Sequence, residues 1–235
     1  MSERIEKVLA QELNISRSRA KALLRQKQVT LNGKTVTAGS AQFEPGRDVL
    51  VCGGKEINYR QYVYIMMNKP KDVISASDGK GMKTVIDILP EEMRRKNLFP
   101  AGRLDKDTTG FVLITDDGAF AHKILSPSNH VPKTYIAGLS APFDDEVKKA
   151  FESGMEMDGK TLLSASLEAV DGDRRKAKVV IRQGLYHQIK RMFARFSIKV
   201  ETLQRIQMGS VPLDTSLPPG GCRYLTNEEV QSLSK

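Results

Sequence analysis

Residues 102–118 read GRLDKDTTGFVLITDDG and join an aspartate-rich turn to a short apolar run. The run at residues 111–115 is rich in aromatic and branched aliphatic side chains, which predicts a strand. The turn before it carries Asp105, with Arg103 two residues earlier. Catalytic side chains often lie on loops held by a rigid strand, so Asp105 is a candidate catalytic carboxylate.

Two other interpretations of the same residues stay open at this point. Five residues match a twelve-residue calcium loop: Asp105, Asp107, Thr109, Gly110 and Asp116. Against that site, the last position is Asp where such loops use a longer bidentate Glu, and a strand pattern stands where a helix should begin. The turn could also be purely structural, because Asp side chains accept hydrogen bonds from nearby backbone N–H groups.

The chain beyond residue 58 alternates strand and helix patterns. We predict strands at residues 62–67, 111–115, 134–139, 163–170, 177–181 and 200–206. Helical spacing predicts helices at residues 84–89, 119–125, 144–153 and 187–196. Thr226 and Glu229 form a capping-box pattern that opens a short last helix. No glycine-rich strand-to-helix turn is present, so the pattern favours an α+β fold over a doubly wound sheet.

The first 58 residues have the pattern of a separate small domain. Residues 5–13 place apolar side chains on one helix face, and Ser16 is a suitable N-cap for a second helix. The outer face of that second helix is basic and consists of Arg17, Arg19, Lys21 and Arg25. Asn32-Gly33 predicts a hairpin, and the glycine-rich residues 52–55 predict the linker to a second domain at residues 59–235.

Composition narrows the class of protein. The chain has 235 residues, of which 40% are hydrophobic, enough for a globular core. No apolar run approaches the roughly 20 residues that cross a bilayer, and MSERIEKVLA at the start lacks a secretory pattern, so we expect no membrane. Two distant cysteines exclude a disulfide framework and suit a reducing cytoplasm, where we expect the protein.

The basic excess is concentrated in two segments. The net charge of the chain is +9, and residues 174–205 alone carry ten cations against one carboxylate. Residues 1–58 carry ten cations and six carboxylates. An excess of this kind favours a polyanionic partner such as RNA, although an ordinary solvated face would look the same.

Several segments together resemble known RNA-modifying enzymes. The two helices followed by a hairpin resemble the S4 RNA-binding domain, although Ile5-Glu6 stands where Leu-Asp is usual. Residues 102–118 resemble the aspartate motif of the ribosomal RNA pseudouridine synthases. Lys133-Thr134-Tyr135 resembles their tyrosine motif, and GLYHQIKRMF at residues 184–193 resembles their basic motif. The closing LPPGGCRYLT, residues 217–226, also fits, so the resemblance spans nearly the whole chain.

The resemblance implies a mainly antiparallel catalytic sheet and assigns roles to individual residues. The implied catalytic residues are Asp105, Tyr135 and Lys190. The implied RNA contacts are Arg103, which would fill the gap left by an everted base, and Arg191 with the basic face of the second helix. Isomerising a uridine changes no redox state and adds no group, so we expect no cofactor and no metal. We interpret His187 as a structural histidine.

The expected substrate is ribosomal RNA. The spacer residues, among them His122, Ser126-Pro127 and His130, resemble the branch that modifies the small subunit more than the large-subunit branches. We expect a monomer that acts on a small-subunit assembly intermediate. The rival hypotheses are a large-subunit enzyme and a non-catalytic RNA-binding assembly factor.

Overall fold

The computed structural model describes residues 2–126, 129 and 131–234. The chain divides into two compact units. The first unit is Met1–Tyr62 with Pro90–Leu98, and the second is Val63–Leu89 with Phe99–Lys235. Residues 59–62 and 90–98 therefore lie with the N-terminal unit, while the predicted domain boundary after residue 58 stays a prediction.

Two short helices and six short strands make up the first unit, together with a 3-10 turn at Glu91–Met93. The elements are β1 (Glu3–Arg4), α1 (Ile5–Glu12), α2 (Arg17–Arg25), β2 (Val29–Leu31), β3 (Lys34–Thr35), β4 (Gln42–Phe43), β5 (Leu50–Cys52) and β6 (Lys55–Glu56). Four strands form an antiparallel sheet in the order β3-β2-β5-β6, and β1 pairs with β4.

The apolar faces of α1 and α2 form the core of this unit. Ile5, Val8 and Leu9 are fully buried, whereas Leu13, which we predicted on the same face, follows the last turn of α1 and is 37% exposed. Ser16 caps α2 as predicted, because its side chain accepts a hydrogen bond from Arg19 N–H.

Both glycine-containing turns of the four-stranded sheet join antiparallel strands. Asn32 and Gly33 both adopt positive φ, as a tight hairpin turn requires, and they connect β2 to β3. Residues 52–55, predicted as a linker, instead form the hairpin turn between β5 and β6, with Cys52 paired to Lys55. The linker prediction was wrong because glycines serve tight turns as readily as flexible connections.

The described part of the second unit contains eleven strands and four helices. The strands are β7 (Tyr64–Lys69), β8 (Phe99–Ala101), β9 (Thr109–Thr115), β10 (Lys133–Leu139), β11 (Glu156–Met157), β12 (Lys160–Thr161), β13 (Ser166–Val170), β14 (Asp173–Ile181), β15 (Val200–Met208), β16 (Val211–Pro212) and β17 (Cys222–Tyr224). The helices are α3 (Gly118–Leu125), α4 (Asp145–Ser153), α5 (Gln188–Ala194) and α6 (Asn227–Leu233).

Nine of these strands form one mixed sheet, in the order β13-β14-β10-β15-β9-β7-β17, with β16 beside β15 and β8 beside β9. Only β15 and β9 pair in parallel, so the sheet is mainly antiparallel and the predicted α+β fold is confirmed. On β10, alternate residues from Lys133 to Leu139 face the buried side of the sheet, and Tyr135 is one of them. Phe151 of α4 and Phe193 of α5 pack against each other at 4.8 Å between ring centroids.

One predicted helix is absent. Residues 84–89 form turns, because the Thr84 hydroxyl accepts hydrogen bonds from the backbone N–H groups of Ile86 and Asp87. The Asp87 carboxylate accepts one in return from Thr84 N–H. These local side-chain bonds compete with helical hydrogen bonds, and Pro90 follows directly.

The C-terminal helix forms as predicted. Thr226 and Glu229 make both hydrogen bonds of a capping box at the start of α6. Within the described residues, no helix is both long enough and apolar enough to cross a bilayer.

Candidate active site

A cleft in the second unit gathers the residues of all three motifs. Its cavity volume is about 70 Å³, and its mouth is open to solvent. The polar side chains that line it are Arg103, Asp105, Thr108, Tyr135, His187, Gln188 and Lys190. Leu104, Ile181, Leu185, Ile189 and Leu203 supply its apolar wall. We call this the Asp105 cleft. It brings Asp105, Tyr135 and Lys190 together with Arg103, although they come from distant parts of the sequence.

The loop before β9 presents Asp105. The preceding residue, Leu104, is buried. The Ser75 hydroxyl bonds to both the N–H and the C=O group of Leu104. Ser75 accepts a hydrogen bond from Leu104 N–H at 3.1 Å and donates one to Leu104 C=O at 3.2 Å. On the other side of the aspartate, Thr108 N–H donates to Asp105 C=O at 3.1 Å. The backbone at Asp105 is therefore fixed from both directions.

A buried lysine supports the same loop. Lys69, at the end of β7, is fully buried, and its ammonium donates to the carbonyls of Pro70, Lys106 and Thr108 at 2.9 to 3.2 Å. Burial lowers the pKa of Lys69 from 10.5 to about 8, although nearby aspartates oppose the shift. The sequence reasoning missed Lys69. The available signal was a cation at the end of the apolar run YIMMNK.

Lys190 supplies the positive charge next to Asp105. Its ammonium, carried on α5, lies 3.1 Å from Asp105 Oδ2 and 2.6 Å from Asp107 Oδ1. Burial alone would lower the pKa of Lys190, but the hydrogen bonds and charges of both aspartates outweigh it and raise that pKa. The hydrogen bond from Lys190 lowers the pKa of Asp107. The family resemblance implied a catalytic role for Lys190, but its contact with Asp107 was not predicted.

His187 lies closer to the carboxylate than the sequence suggested. Its Nε2 is 3.5 Å from Asp105 Oδ1, and its side chain is 34% exposed at the edge of the Asp105 cleft. The residue adopts a left-handed backbone conformation just before α5 and stacks on Tyr186. The interpretation of His187 as a structural histidine stays a prediction, now for a residue that lines the Asp105 cleft. His130, Pro127 and the adjoining Ser128 lie outside the described residues.

Tyr135 lines the Asp105 cleft. Its side chain is 7% exposed, and its strand partners are Val179 on β14 and Arg205 on β15. Two cations are buried on the same face of the sheet, Lys133 and Arg205, and Arg205 Nε donates to Phe111 C=O at 2.7 Å. Burial, with the neighbouring charge of Arg205, lowers the pKa of Lys133 to about 8.

The predicted RNA-contact residues differ in whether their side chains already have a partner within the protein. Arg103 lines the Asp105 cleft, is exposed, and has no hydrogen-bond or ion-pair partner among the described residues. Arg191 is paired with Asp158 at 2.5 Å, so a phosphate would have to share or replace that carboxylate. On α2, Arg17 and Arg19 are exposed, as are Lys21 and Arg25.

The calcium interpretation does not fit the geometry. Thr109 and Gly110 lie within β9 instead of a loop. The Asp116 carboxylate accepts a hydrogen bond from Val63 N–H at 2.9 Å. Over the described part of the chain, no group of three or more His, Cys, Asp or Glu side chains is placed to hold a metal.

Comparisons with known proteins point the same way as the geometry. A family model described as RNA pseudouridylate synthase matches residues 63–195, and one described as S4 domain matches residues 3–49. The chain is 39% identical to the uncharacterized RNA pseudouridine synthase YtzG of Bacillus subtilis, over 99% of this chain and 98% of that protein. It is 37% identical to ribosomal small subunit pseudouridine synthase A of Escherichia coli, over 98% and 99% of the two chains. A crystal structure of a pseudouridylate synthase is similar with a TM-score of 0.69 and 35% identity, and covers 98% of this chain and 99% of that one.

Proposed function

The chain belongs to the RNA pseudouridylate synthase family, and from that membership we propose that it converts a specific uridine of small-subunit ribosomal RNA to pseudouridine. The resemblance inferred from the three sequence motifs is confirmed over nearly the whole chain. The observation that carries the proposal is the Asp105–Lys190 pair at 3.1 Å in a cleft that also contains Tyr135 and Arg103.

The reaction needs one ionised carboxylate beside the ribose. The bond between N1 of uracil and C1′ of ribose breaks, the freed uracil rotates, and a bond forms between its C5 and C1′. The proton on C5 is then lost, and N1 gains one, so the atoms balance without any other reactant. Asp105 would act at the sugar, either as a nucleophile at C1′ or by removing a sugar proton. Lys190 places its positive charge 3.1 Å from this carboxylate.

The other residues of the Asp105 cleft suit the handling of an everted base. A uridine stacked in folded RNA is out of reach, so the enzyme must flip it into the cleft. Tyr135 offers a ring on which uracil can stack and a hydroxyl near it for proton transfer. Arg103 lines the same cleft, is exposed and has no partner in the described structure, so it would be free to enter the space that the base leaves.

The choice of RNA rests on two features. The N-terminal S4 domain carries exposed cations on α2, which would bind phosphates of folded RNA and position it without reading its sequence. Several similar proteins are named for the small ribosomal subunit. The proposed substrate is therefore small-subunit ribosomal RNA. The proposal includes an assembly intermediate as the form of that RNA and a monomer that acts in the cytoplasm.

The test is a direct map of pseudouridine in ribosomal RNA. Purified protein is incubated with transcribed small-subunit and large-subunit RNA, and carbodiimide-labelled pseudouridine is located by primer extension. The same map is made in cells with and without the gene. We expect one modified position in the small-subunit RNA. Conversion only in the large-subunit RNA would overturn the choice of substrate, and binding without conversion of either RNA would leave a non-catalytic RNA-binding factor.

A further inference from the structure

Tyr186 is exposed in a way that core packing does not explain. Its side chain is 75% exposed, more than any other large apolar or aromatic side chain in the described part of the chain. The ring is nevertheless held in place, since it stacks on the His187 imidazole with centroids 3.8 Å apart and planes 17° from parallel. One face of the ring is thus covered and the other faces solvent.

In this stacked pair, Tyr186 is the member exposed to solvent and His187 is the member close to the Asp105 carboxylate. His187, the inner member, lines the Asp105 cleft and lies 3.5 Å from Asp105 Oδ1. Gly184 and Leu185, which precede Tyr186 in the chain, also line the cleft. The open face of Tyr186 is therefore at the rim of the place where the uridine would enter.

The surroundings of Tyr186 suit RNA better than an apolar partner. Arg182 lies on the same connection, between two residues that line the cleft, and is exposed. Neither Arg182 nor Arg103 has a hydrogen-bond or ion-pair partner among the residues that the structure describes. An exposed aromatic face together with unpaired guanidinium groups is the combination that binds single-stranded nucleic acid, in which phosphates pair with cations and bases stack.

We propose that Tyr186 is a stacking platform for an unpaired base adjacent to the everted uridine. The proposal rests on the proposed function, since eversion of the uridine is what leaves its neighbours without a stacking partner. The neighbouring base would lie on the open face of Tyr186 and extend the Tyr186–His187 stack. That contact would fix the RNA at the mouth of the cleft without depending on which base is present.

Two substitutions separate stacking from other roles of Tyr186. Tyr186→Phe keeps the ring and removes only the hydroxyl, whereas Tyr186→Leu keeps an apolar side chain without a flat face. Loss of one base–aromatic stack is expected to raise the Kd for transcribed small-subunit RNA about tenfold in Tyr186→Leu. Tyr186→Phe should stay within about twofold of wild type, because its ring can still stack. Melting temperatures should match for all three proteins, since the side chain is exposed.

A fluorescent base tests the contact itself. Once the target uridine is mapped, two synthetic stem-loops are made. One carries 2-aminopurine at the position 5′ to that uridine, and the other carries it at the position 3′ to it. Wild type and Tyr186→Phe should quench one of the two probes on binding, and Tyr186→Leu should not. The stacking proposal would be overturned if Tyr186→Leu kept the affinity and quenching of wild type, or if Tyr186→Phe lost as much affinity as Tyr186→Leu. In either case, conversion of uridine by wild type would still support the proposed function. A wild-type protein that converts no uridine would overturn the proposed function and this proposal with it.

Discussion

Lys190 is the residue on which the charge of the Asp105 cleft depends. Its ammonium contacts two carboxylates, at 3.1 Å and 2.6 Å, and their combined effect raises its pKa. It therefore stays protonated across the neutral range and keeps a positive charge beside Asp105. Arginine would preserve the charge but would place its planar donors differently, since a guanidinium and an ammonium have different shapes.

We expect Lys190→Met to cost more activity than Lys190→Arg. Removal of the charge leaves two neighbouring carboxylates without their shared cation, and we expect kcat to fall about 100-fold, the scale of losing one preorganised electrostatic contact. Lys190→Arg should lose about tenfold through geometry alone. Single-turnover conversion of small-subunit RNA measures both, and equal losses would argue against a role for the charge.

Lys69 is a second important cation of this site, but its ammonium contacts backbone carbonyls instead of carboxylates. Its ammonium holds three carbonyls around the Asp105 loop, and burial lowers its pKa to about 8. In the unfolded chain its pKa returns to about 10.5. Between these values the unfolded state binds a proton that the folded state does not, so folding becomes more favourable as the pH rises.

The free energy of unfolding should show this linkage. The difference between wild type and Lys69→Met should grow in favour of wild type as the pH rises from about 8 to about 10.5. Urea unfolding of both proteins across that interval measures it, and the subtraction removes the contributions of other lysines such as Lys133. A difference that stays constant or shrinks would show that the pKa of Lys69 is not lowered.

At the scale of elements, the strand β9 and the loop before it work as one unit. The sequence predicted the core of β9 because its residues form a continuous apolar run, buried on both sides in the structure. It also predicted that Asp105 would lie on the loop entering that strand. It could not predict that Ser75, about thirty residues earlier, fixes the backbone of Leu104. A contact between distant segments has no local pattern.

The Ser75 contact yields a matched pair of substitutions. Ser75→Ala removes a hydroxyl with two backbone partners and leaves them unsatisfied, which should destabilise the protein by about 1–3 kcal/mol and lower kcat. Thr108→Val removes a buried hydroxyl on the same loop that has no partner among the described residues, so stability should be unchanged or higher.

Urea unfolding and single-turnover kinetics distinguish the two variants. Equal stability of Ser75→Ala and wild type would mean that the hydroxyl does not hold the loop. A clear loss of stability in Thr108→Val would mean that its hydroxyl has a partner after all.

Other predictions from the sequence differ from the structure in which helices and strands form. Residues 84–89 failed as a helix because the Thr84 and Asp87 side chains bond to the backbone locally. Short strands such as β8 and β17 were not predicted, because three residues carry too little periodicity. The three motifs were easier to recognise than Lys69, because the motifs have a known order whereas Lys69 acts through tertiary contacts.

For the whole molecule, net charge overstates how many cations are available to RNA. Residues 174–205 carry ten cations, yet six already bond to carboxylates or backbone carbonyls. These six are Arg174, Arg175, Lys190, Arg191, Arg195 and Arg205. RNA affinity should therefore depend on the cations that remain free, including the pair Arg17 and Arg19 on α2, which have no side-chain partner in the described structure.

Salt dependence tests this distribution. The double variant Arg17→Gln/Arg19→Gln should weaken RNA binding and reduce the slope of log K against log salt by about 1.5, if both side chains contact phosphates. Lys7→Gln/Arg47→Gln is the matched control, because each of these cations is already paired with a carboxylate in the same unit, Glu3 and Glu44. Filter binding from low to moderate salt measures both, and equal slopes in the two variants would exclude a special role for α2.

The central claim is that the carboxylate of Asp105 performs the isomerisation. The decisive measurement is pseudouridine formation in small-subunit RNA by Asp105→Asn, compared with Asp107→Asn, which changes the neighbouring carboxylate bound to the same lysine. We predict that Asp105→Asn forms no detectable pseudouridine while its RNA affinity stays within a few-fold, and that Asp107→Asn keeps turnover within about tenfold of wild type. Pseudouridine formation by Asp105→Asn at a rate near that of wild type would contradict the account.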